Sequence, residues 1–385
     1  MYEVTVRADP ETLAARIRQA IHASGLSQQA LAERIGMDPT ALSKVLTGKR
    51  RLSSLELGLI AEATSARVDE LLAYGERVGS HFAARTQPDK TPAVDEALRR
   101  VDDFLETDAL LCDLGLSAPA SRLPLPVAGR SYLKQADELA MQVRELAGAG
   151  DSYIEELASF CEQLLGVDVA VECLPRGLDG LSVACGNYRL ALVSSAIPAT
   201  RQRYTLAHEI AHLAAGDTEN IVIDEDLFGR SGAKEARANA FAAAFLMPES
   251  SLRKAMGTAG LVEASIGEML AHYKVSMDAL AWRLYNVKLV DEAGRDRVRQ
   301  LSTRRLSLLA GHAGEYQRQL QDHGFRRLPT GLLRRAVEAY NRGDIGVRVL
   351  ARLTQIPPEV LSEQLSPLPP VADKAVRDSD RALVL

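Results

Sequence analysis

Cysteine is scarce in this chain, and the few cysteines present are not spaced for shared chemistry. The 385 residues include four, Cys112, Cys161, Cys173 and Cys185. None of them stands in Cys-x-x-Cys spacing, which argues against a disulfide framework or a cysteine zinc site. No apolar run approaches the ~20 residues of a membrane span, and the first residues lack the apolar core of a signal peptide. These absences predict a cytoplasmic protein without a membrane partner.

An excess of basic charge is also missing. The formal net charge is −5 at pH 7, which argues against general coating of nucleic acid. The first 75 residues contain nine basic and nine acidic side chains. Any DNA binding by this part of the chain must therefore depend on the shape of a motif and not on a basic field.

The most informative motif present is His-Glu-Ile-Ala-His at residues 208–212. Residues four apart on a helix share one face, so the imidazoles of His208 and His212 can reach one Zn²⁺. Glu209 can then accept a proton from water at the metal, which is the chemistry of a hydrolase. From the spacing alone, the alternative is an ordinary helix that carries two histidines and a glutamate.

A second predicted helix supplies a candidate third ligand. Catalytic zinc usually takes three protein ligands, and two histidines with a glutamate are a standard set. The segment from Glu235 to Pro248 has helical spacing, so Glu235 can face the histidines. Asn239, one turn on, can accept a hydrogen bond from a ligand histidine or be an ordinary buried amide. Should Glu235 not bind metal, the next candidates are Asp217, Asp224 and Glu225.

These residues resemble the ImmA/IrrE family of zinc metallopeptidases. The matching positions are Thr205–His212, Glu235, Asn239, Phe241 and Leu246–Pro248. The resemblance covers about residues 130–290 and implies an α+β zincin-like domain. It implies His208, His212 and Glu235 as zinc ligands, with Mn²⁺ as an alternative metal, and Glu209 as general base. Since family members typically cleave a repressor, it also implies a protein substrate.

The N-terminal region predicts a helix-turn-helix. Ser27 precedes a short helix that ends at Gly36, and Asp38 with Pro39 opens the next helix. The region resembles the XRE group of lambda-Cro-like repressors over about residues 10–75. The resemblance implies a double-stranded DNA operator, and one short recognition helix reads so few base pairs that we expect a homodimer. The predicted DNA contacts are Gln28, Thr40, Ser43, Lys44, Lys49, Arg50 and Arg51.

The basic cluster after the predicted recognition helix has a second interpretation. Lys49, Arg50 and Arg51 would contact phosphates if the module binds DNA. The same residues are compatible with a solvated loop, which charge alone does not exclude.

Short strands are predicted ahead of the histidine helix, at Val167–Leu174, Leu181–Ala184 and Tyr188–Val193. We expect the last of them to form the edge of the cleft, where an extended substrate can add as another strand. Upstream, a connecting helix is predicted near Val94–Leu111, followed by a proline-containing hinge at Ser117–Pro126.

The C-terminal stretch is rich in arginine. Thirteen arginines and five acidic residues lie between Arg295 and Arg352. The pattern indicates either helices with solvated basic faces or a second bundle that contacts DNA or a partner. The tail from Pro367 is predicted to be disordered.

The sequence predicts a multidomain, mainly α protein: a helix-turn-helix domain at 1–75, a linker and connecting helix at 76–129, an α+β peptidase domain at 130–290 and a C-terminal helical region at 291–385. Its predicted function is transcriptional regulation combined with zinc-dependent cleavage of a repressor or of itself. The alternative is a repressor whose peptidase-like domain senses a ligand or metal without proteolysis. Retention of Glu209 argues against that alternative, because a sensor has no need of a base.

Overall fold

The computed structural model describes residues 10–50, 52–64, 66, 71, 92–217, 222–223, 232–257, 262–321 and 324–365. The chain divides into two compact units, Met1–Ala84 and Arg85–Leu385. Both consist mainly of helices, and a small sheet lies in the second, so the predicted fold class is confirmed. The division into four stretches stays a prediction. Arg51, most of the predicted linker and the predicted tail lie outside the described residues. None of the described helices is long and apolar enough to cross a membrane.

The first unit is a helical bundle with caps at the predicted positions. Its described helices are α1 (Pro10–Ala23), α2 (Gln28–Arg34), α3 (Pro39–Leu46) and α4 (Ser54–Thr64). Ser27 caps α2 by accepting the Ala30 N–H at 3.1 Å, and Asp38 caps α3 by accepting the Thr40 N–H at 2.8 Å. Side chains from all four helices form one core, which includes Ile17, Leu31, Leu42 and Ile60.

In the second unit, helices precede and follow the strands along the chain. The elements up to the end of the sheet are α5 (Pro92–Asp113), α6 (Tyr132–Leu146), α7 (Leu157–Phe160) continued by a π-helical turn (Cys161–Leu165), β1 (Asp168–Glu172), β2 (Gly180–Cys185), β3 (Tyr188–Ser194), α8 (Ala199–Ala215) and β4 (Val222–Ile223). The later helices are α9 (Ala233–Leu246), α10 (Glu249–Met256), α11 (Glu263–Tyr273), α12 (Met277–Asn286), α13 (Glu292–Arg299), α14 (Thr303–Leu309), α15 (Ala313–Gln321), α16 (Thr330–Arg342), α17 (Val347–Thr354) and α18 (Pro358–Gln364).

The four strands lie in the order β1-β3-β2-β4. β1 is parallel to β3, with Val169 opposite Ala191, and β2 is antiparallel to both β3 and β4. The prediction that β3 forms the cleft edge is therefore wrong, because β3 lies between β1 and β2. Its residues from Leu190 to Val193 are all buried, as is typical of an interior strand covered on both faces.

Helix α8 lies against the sheet and carries the histidine motif. It contacts β2 and β3 on one side and packs on α9, which in turn packs on α6. The core between these elements includes Val193, Ile210 and Phe241, each at most 1% exposed. This packing fixes the position of α8 relative to α9, on which the candidate ligands lie.

The segment predicted as a hinge is fastened to the second unit. The Arg122 N–H donates to the Leu165 carbonyl at 3.2 Å, and the Leu125 N–H donates to the Ala214 carbonyl at 2.8 Å. Leu123 between them is buried. The hinge prediction is wrong here because backbone hydrogen bonds and a buried leucine hold the prolines in place.

Several of the C-terminal arginines form ion pairs with earlier parts of the second unit. Arg326 donates to Glu172 at 2.6 Å, Arg327 donates to Glu162 at 2.7 Å, and the buried Arg335 lies 2.7 Å from Asp108. The prediction of solvated basic faces is wrong for Arg327 and Arg335, whereas Arg326 is exposed although it is paired with Glu172. Their charges instead attach the helices after residue 324 to β1, α5 and the π-helical turn.

Candidate metal centre and DNA-binding face

Three side chains converge between α8 and α9. Nε2 of His208 lies 3.1 Å from Nε2 of His212 and 3.2 Å from Oε2 of Glu235. Nε2 of His212 lies 3.4 Å from Oε1 of Glu235. Donors held about 2.0–2.1 Å from one tetrahedral zinc are roughly 3.3 Å apart. The three groups can therefore bind a single zinc-sized ion with little rearrangement.

The outer nitrogen of His208 faces an amide oxygen. Nδ1 of His208 lies 3.1 Å from Oδ1 of Asn239, which is one turn after Glu235 on α9. A carbonyl oxygen can only accept, so this contact keeps the proton on Nδ1 and leaves Nε2 available as a ligand. The structure thus places Asn239 where the sequence predicted a supporting contact.

The outer nitrogen of His212 faces a carboxylate, that of Asp217. Gly216 ends α8 in the left-handed conformation, with φ of +69°, which turns the chain back over the last helical turn. Oδ2 of Asp217 consequently lies 3.4 Å from Nδ1 of His212 and accepts a hydrogen bond from Arg237 at 2.5 Å. Asp217 faces the outer nitrogen of His212. The other two fallback ligands, Asp224 and Glu225, lie outside the described residues.

The electrostatics of this cluster favour a cation. Burial lowers the pKa of His212, but the carboxylates of Asp217 and Glu235 outweigh it and raise the pKa to about 10. Burial raises the pKa of Asp217, yet His212 and Arg237 bring it down to about 2. Hydrogen bonds from His208 and His212 hold the pKa of Glu235 well below its ordinary value. The same field that stabilises a proton on His212 stabilises a divalent metal between the ligands.

Glu209 is fully buried beside the ligands and under the sheet. A Cβ placed on Gly180, the first residue of β2, would lie 2.5 Å from Cγ2 of Thr205 and 3.0 Å from Oε1 of Glu209. The β2 backbone therefore runs close against Thr205 and the Glu209 carboxylate, and a side chain at position 180 would clash first with the Thr205 methyl group. Gly180 was not among the predicted site residues, and its only signal was a glycine immediately before a predicted strand.

The first unit exposes most of the predicted DNA-contacting side chains. Along α3, Leu42, Val45 and Leu46 are buried. The exposed predicted contacts are Gln28, Thr40, Ser43, Lys44 and Lys49. Arg50 differs, because it is only partly exposed and its guanidinium forms an ion pair with Glu56 at 2.7 Å.

Two regions of the chain match known family models. Residues 166–285 match the family model of the IrrE N-terminal-like domain, and residues 16–71 match that of the helix-turn-helix domain. The chain joins an XRE-type helix-turn-helix domain to an ImmA/IrrE-type peptidase domain. Both predicted resemblances are thereby confirmed. No curated protein was found to match the chain.

A groove lies beside Asn239, the residue that contacts the candidate ligand His208. This cavity of about 540 Å³ has Tyr204 and Asn239 on one wall and Trp282 on another. The Tyr204 hydroxyl donates to the main-chain carbonyl of Asn239 at 2.8 Å, and burial raises the pKa of Tyr204. Tyr204 therefore contacts both the groove and Asn239, the residue that faces His208. Its hydroxyl group already donates a hydrogen bond to a backbone oxygen.

Proposed function

We propose that this protein is a DNA-binding regulator whose ImmA/IrrE-type domain is a zinc endopeptidase. The family match supports a regulator with a peptidase-like domain. The proposal of catalysis rests on one observation above all. His208, His212 and Glu235 present three donor atoms at zinc-compatible separations, and Glu209 is buried next to them.

The chemistry follows from the positions of the side chains. Zn²⁺, or Mn²⁺ in its place, would acidify a water and polarise a peptide carbonyl. Glu209 takes the proton of the attacking water and returns it to the departing amine. Asn239 and Asp217 hold the two imidazoles with Nε2 directed at the metal position, a role that commonly determines metal affinity. Tyr204 is not assigned to oxyanion stabilisation, because its hydroxyl already donates to Asn239.

We place the substrate chain along the groove beside Tyr204 and Trp282. An extended peptide needs a sheet edge for main-chain hydrogen bonds and an apolar pocket for a side chain. The outer edge of β1 is already paired at Val171, which exchanges two 2.9 Å hydrogen bonds with Arg327. Strand addition is proposed at β4, the last strand in the order of the described sheet, while the groove receives a large apolar side chain.

A separate protein is a better substrate than this chain itself. Cleavage of this chain at Ser117–Pro126 is disfavoured, because that segment is fastened by hydrogen bonds at Arg122 and Leu125. It would have to leave these partners before it could bind as an extended strand. We propose a repressor as the substrate, cleaved in trans.

The helix-turn-helix domain is proposed to bind a palindromic operator as a homodimer. In the full chain, replacing Ser43 and Lys44 with alanine should weaken operator binding by roughly tenfold or more, because each base contact contributes about 1–3 kcal/mol. Binding to random DNA should change far less. Gln19→Ala, on the exposed face of α1, is the control. Equal losses on operator and random DNA would show that Ser43 and Lys44 do not read bases.

The sensor alternative differs in what it requires of Glu209. The test that distinguishes the two functions measures operator affinity at one salt concentration. It uses the parent, Glu209→Gln and metal-stripped proteins, each with and without the candidate repressor. Coupled sites typically change affinity by about 5–150-fold. If catalysis drives the switch, Glu209→Gln should fail to respond to the repressor over time although it binds metal. A response of Glu209→Gln equal to that of the parent would favour the sensor.

A further inference from the structure

A second cavity lies at the end of the sheet away from Glu209. It encloses about 720 Å³ between residues 115–120, the beginnings of β1 and β3, and α16. Asp168 and Tyr188, the first residues of β1 and β3, form its inner wall. The proposed metal ligands do not line it. Its volume is within the ~300–1,000 Å³ range of small-molecule sites.

The inner wall is polar and buried. The Tyr188 hydroxyl faces the Asp168 carboxylate, and Oδ2 of Asp168 lies 4.0 Å from a guanidinium nitrogen of Arg335. Tyr188 is only 5% exposed. Burial raises the pKa of Asp168 to about 6, although Tyr188 and Arg335 act to lower it. A phenol and a carboxylate at the wall of a cavity can exchange hydrogen bonds with the hydroxyl groups of a ligand.

The rim of the cavity carries positive charge. Arg122 and Arg189 donate to the main-chain carbonyls of Leu146 and Gly186, which do not cancel their charges. Arg334 adds a third, exposed guanidinium. Arginine is well suited to phosphate because its planar fork matches the oxygen geometry.

The acidic residues of the rim do not cancel that charge. Glu162 is paired with Arg327 at 2.7 Å, and Glu338 is paired with Arg342. Neither of these arginines lines the cavity. The rim therefore retains an excess of positive charge, while the inner wall offers hydrogen-bond acceptors.

We propose that this cavity is an effector site for a small phosphate ester that carries hydroxyl groups. The phosphate lies among Arg122, Arg189 and Arg334. The hydroxyl groups reach Tyr188 and Asp168.

The cavity also borders the ion pair that attaches the connecting helix, α5, to α16. Asp108 belongs to α5, and its partner Arg335, at 2.7 Å, belongs to α16 and lines the cavity. Arg335 also donates to the Leu116 carbonyl at 3.1 Å. A ligand bound at Asp168, which neighbours Arg335, therefore restrains the end of α5 and the segment after it. This effect does not depend on peptidase activity.

The test measures binding to the full chain by calorimetry. Glucose 6-phosphate is the probe, and glucose and inorganic phosphate are separate arms. Arg334→Gln should weaken binding of glucose 6-phosphate by roughly tenfold, and Tyr188→Phe by roughly three- to tenfold. Arg304→Gln, an exposed arginine outside the cavity, should bind like the parent. Hydrogen exchange of residues 100–113 should slow when the probe binds.

Several results would overturn the assignment. Absence of binding by the parent at roughly 10 mM glucose 6-phosphate would exclude the proposed class of ligand. Equal binding by Arg334→Gln and the parent would place the probe elsewhere. The inner wall would not recognise a hydroxyl group if inorganic phosphate bound as tightly as the ester and Tyr188→Phe bound the ester with the affinity of the parent. Arg334 is exposed, so its variant remains informative even if Tyr188→Phe is poorly folded.

Discussion

Replacing Glu209 with glutamine is expected to abolish cleavage and to leave the metal in place. Glutamine has the same shape and fits under Gly180, but it cannot accept the proton of the attacking water. General-base catalysis typically contributes about 10²–10⁴-fold, so kcat should fall by that factor. Metal content after dialysis should remain one equivalent, because Glu209 is not among the three converging donors.

Glu138→Gln is the matched control for this prediction. Glu138 is exposed on α6, so the same chemical change there should alter neither rate nor metal content. Substantial cleavage by Glu209→Gln would remove the proposed base. Loss of metal from Glu209→Gln would instead mean that this carboxylate is a ligand.

Replacing Glu235 with alanine is expected to remove the metal and with it all cleavage. The change deletes one of three donors and leaves two imidazoles, which rarely hold zinc against dialysis. Metal analysis of the dialysed protein provides the measurement. Asp217→Asn should behave differently, because the amide oxygen can still accept from His212. Its metal affinity should fall by about 10–100-fold and not vanish.

Comparing these two variants distinguishes a residue that binds the metal from a residue that only holds a ligand histidine in place. If Glu235→Ala retains one equivalent as tightly as the parent, the third ligand is another carboxylate. Asp224 and Glu225 would then be the next residues to replace. If Asp217→Asn loses metal as completely as Glu235→Ala, Asp217 is itself a ligand and not a support for His212.

The helical parts of the candidate site were predictable because their signals are local. The spacing of His208 and His212 depends only on helical periodicity. Glu235 and Asn239 follow from one further helix with the same periodicity. The caps at Ser27 and Asp38 are likewise read from neighbouring residues, and the structure has both.

The parts that were missed depend on contacts between distant segments. Gly180 matters only because β2 passes against Glu209, which no local pattern reveals. The buried run of β3 was evidence for an interior strand, but its position as the last strand before α8 suggested an edge. The partner of Arg326 lies more than 150 residues away along the chain, and that of Arg335 more than 200. Composition alone therefore suggested solvated faces.

The most direct measurement is mass spectrometry of a candidate repressor incubated with this protein. The parent with zinc should yield two fragments that share one cleavage site, at a rate that follows enzyme concentration. Metal-stripped parent should yield none until zinc is restored, and Glu209→Gln should yield almost none with zinc present. Fragments that form equally with the parent, the metal-stripped protein and Glu209→Gln would contradict catalysis at His208, His212 and Glu235.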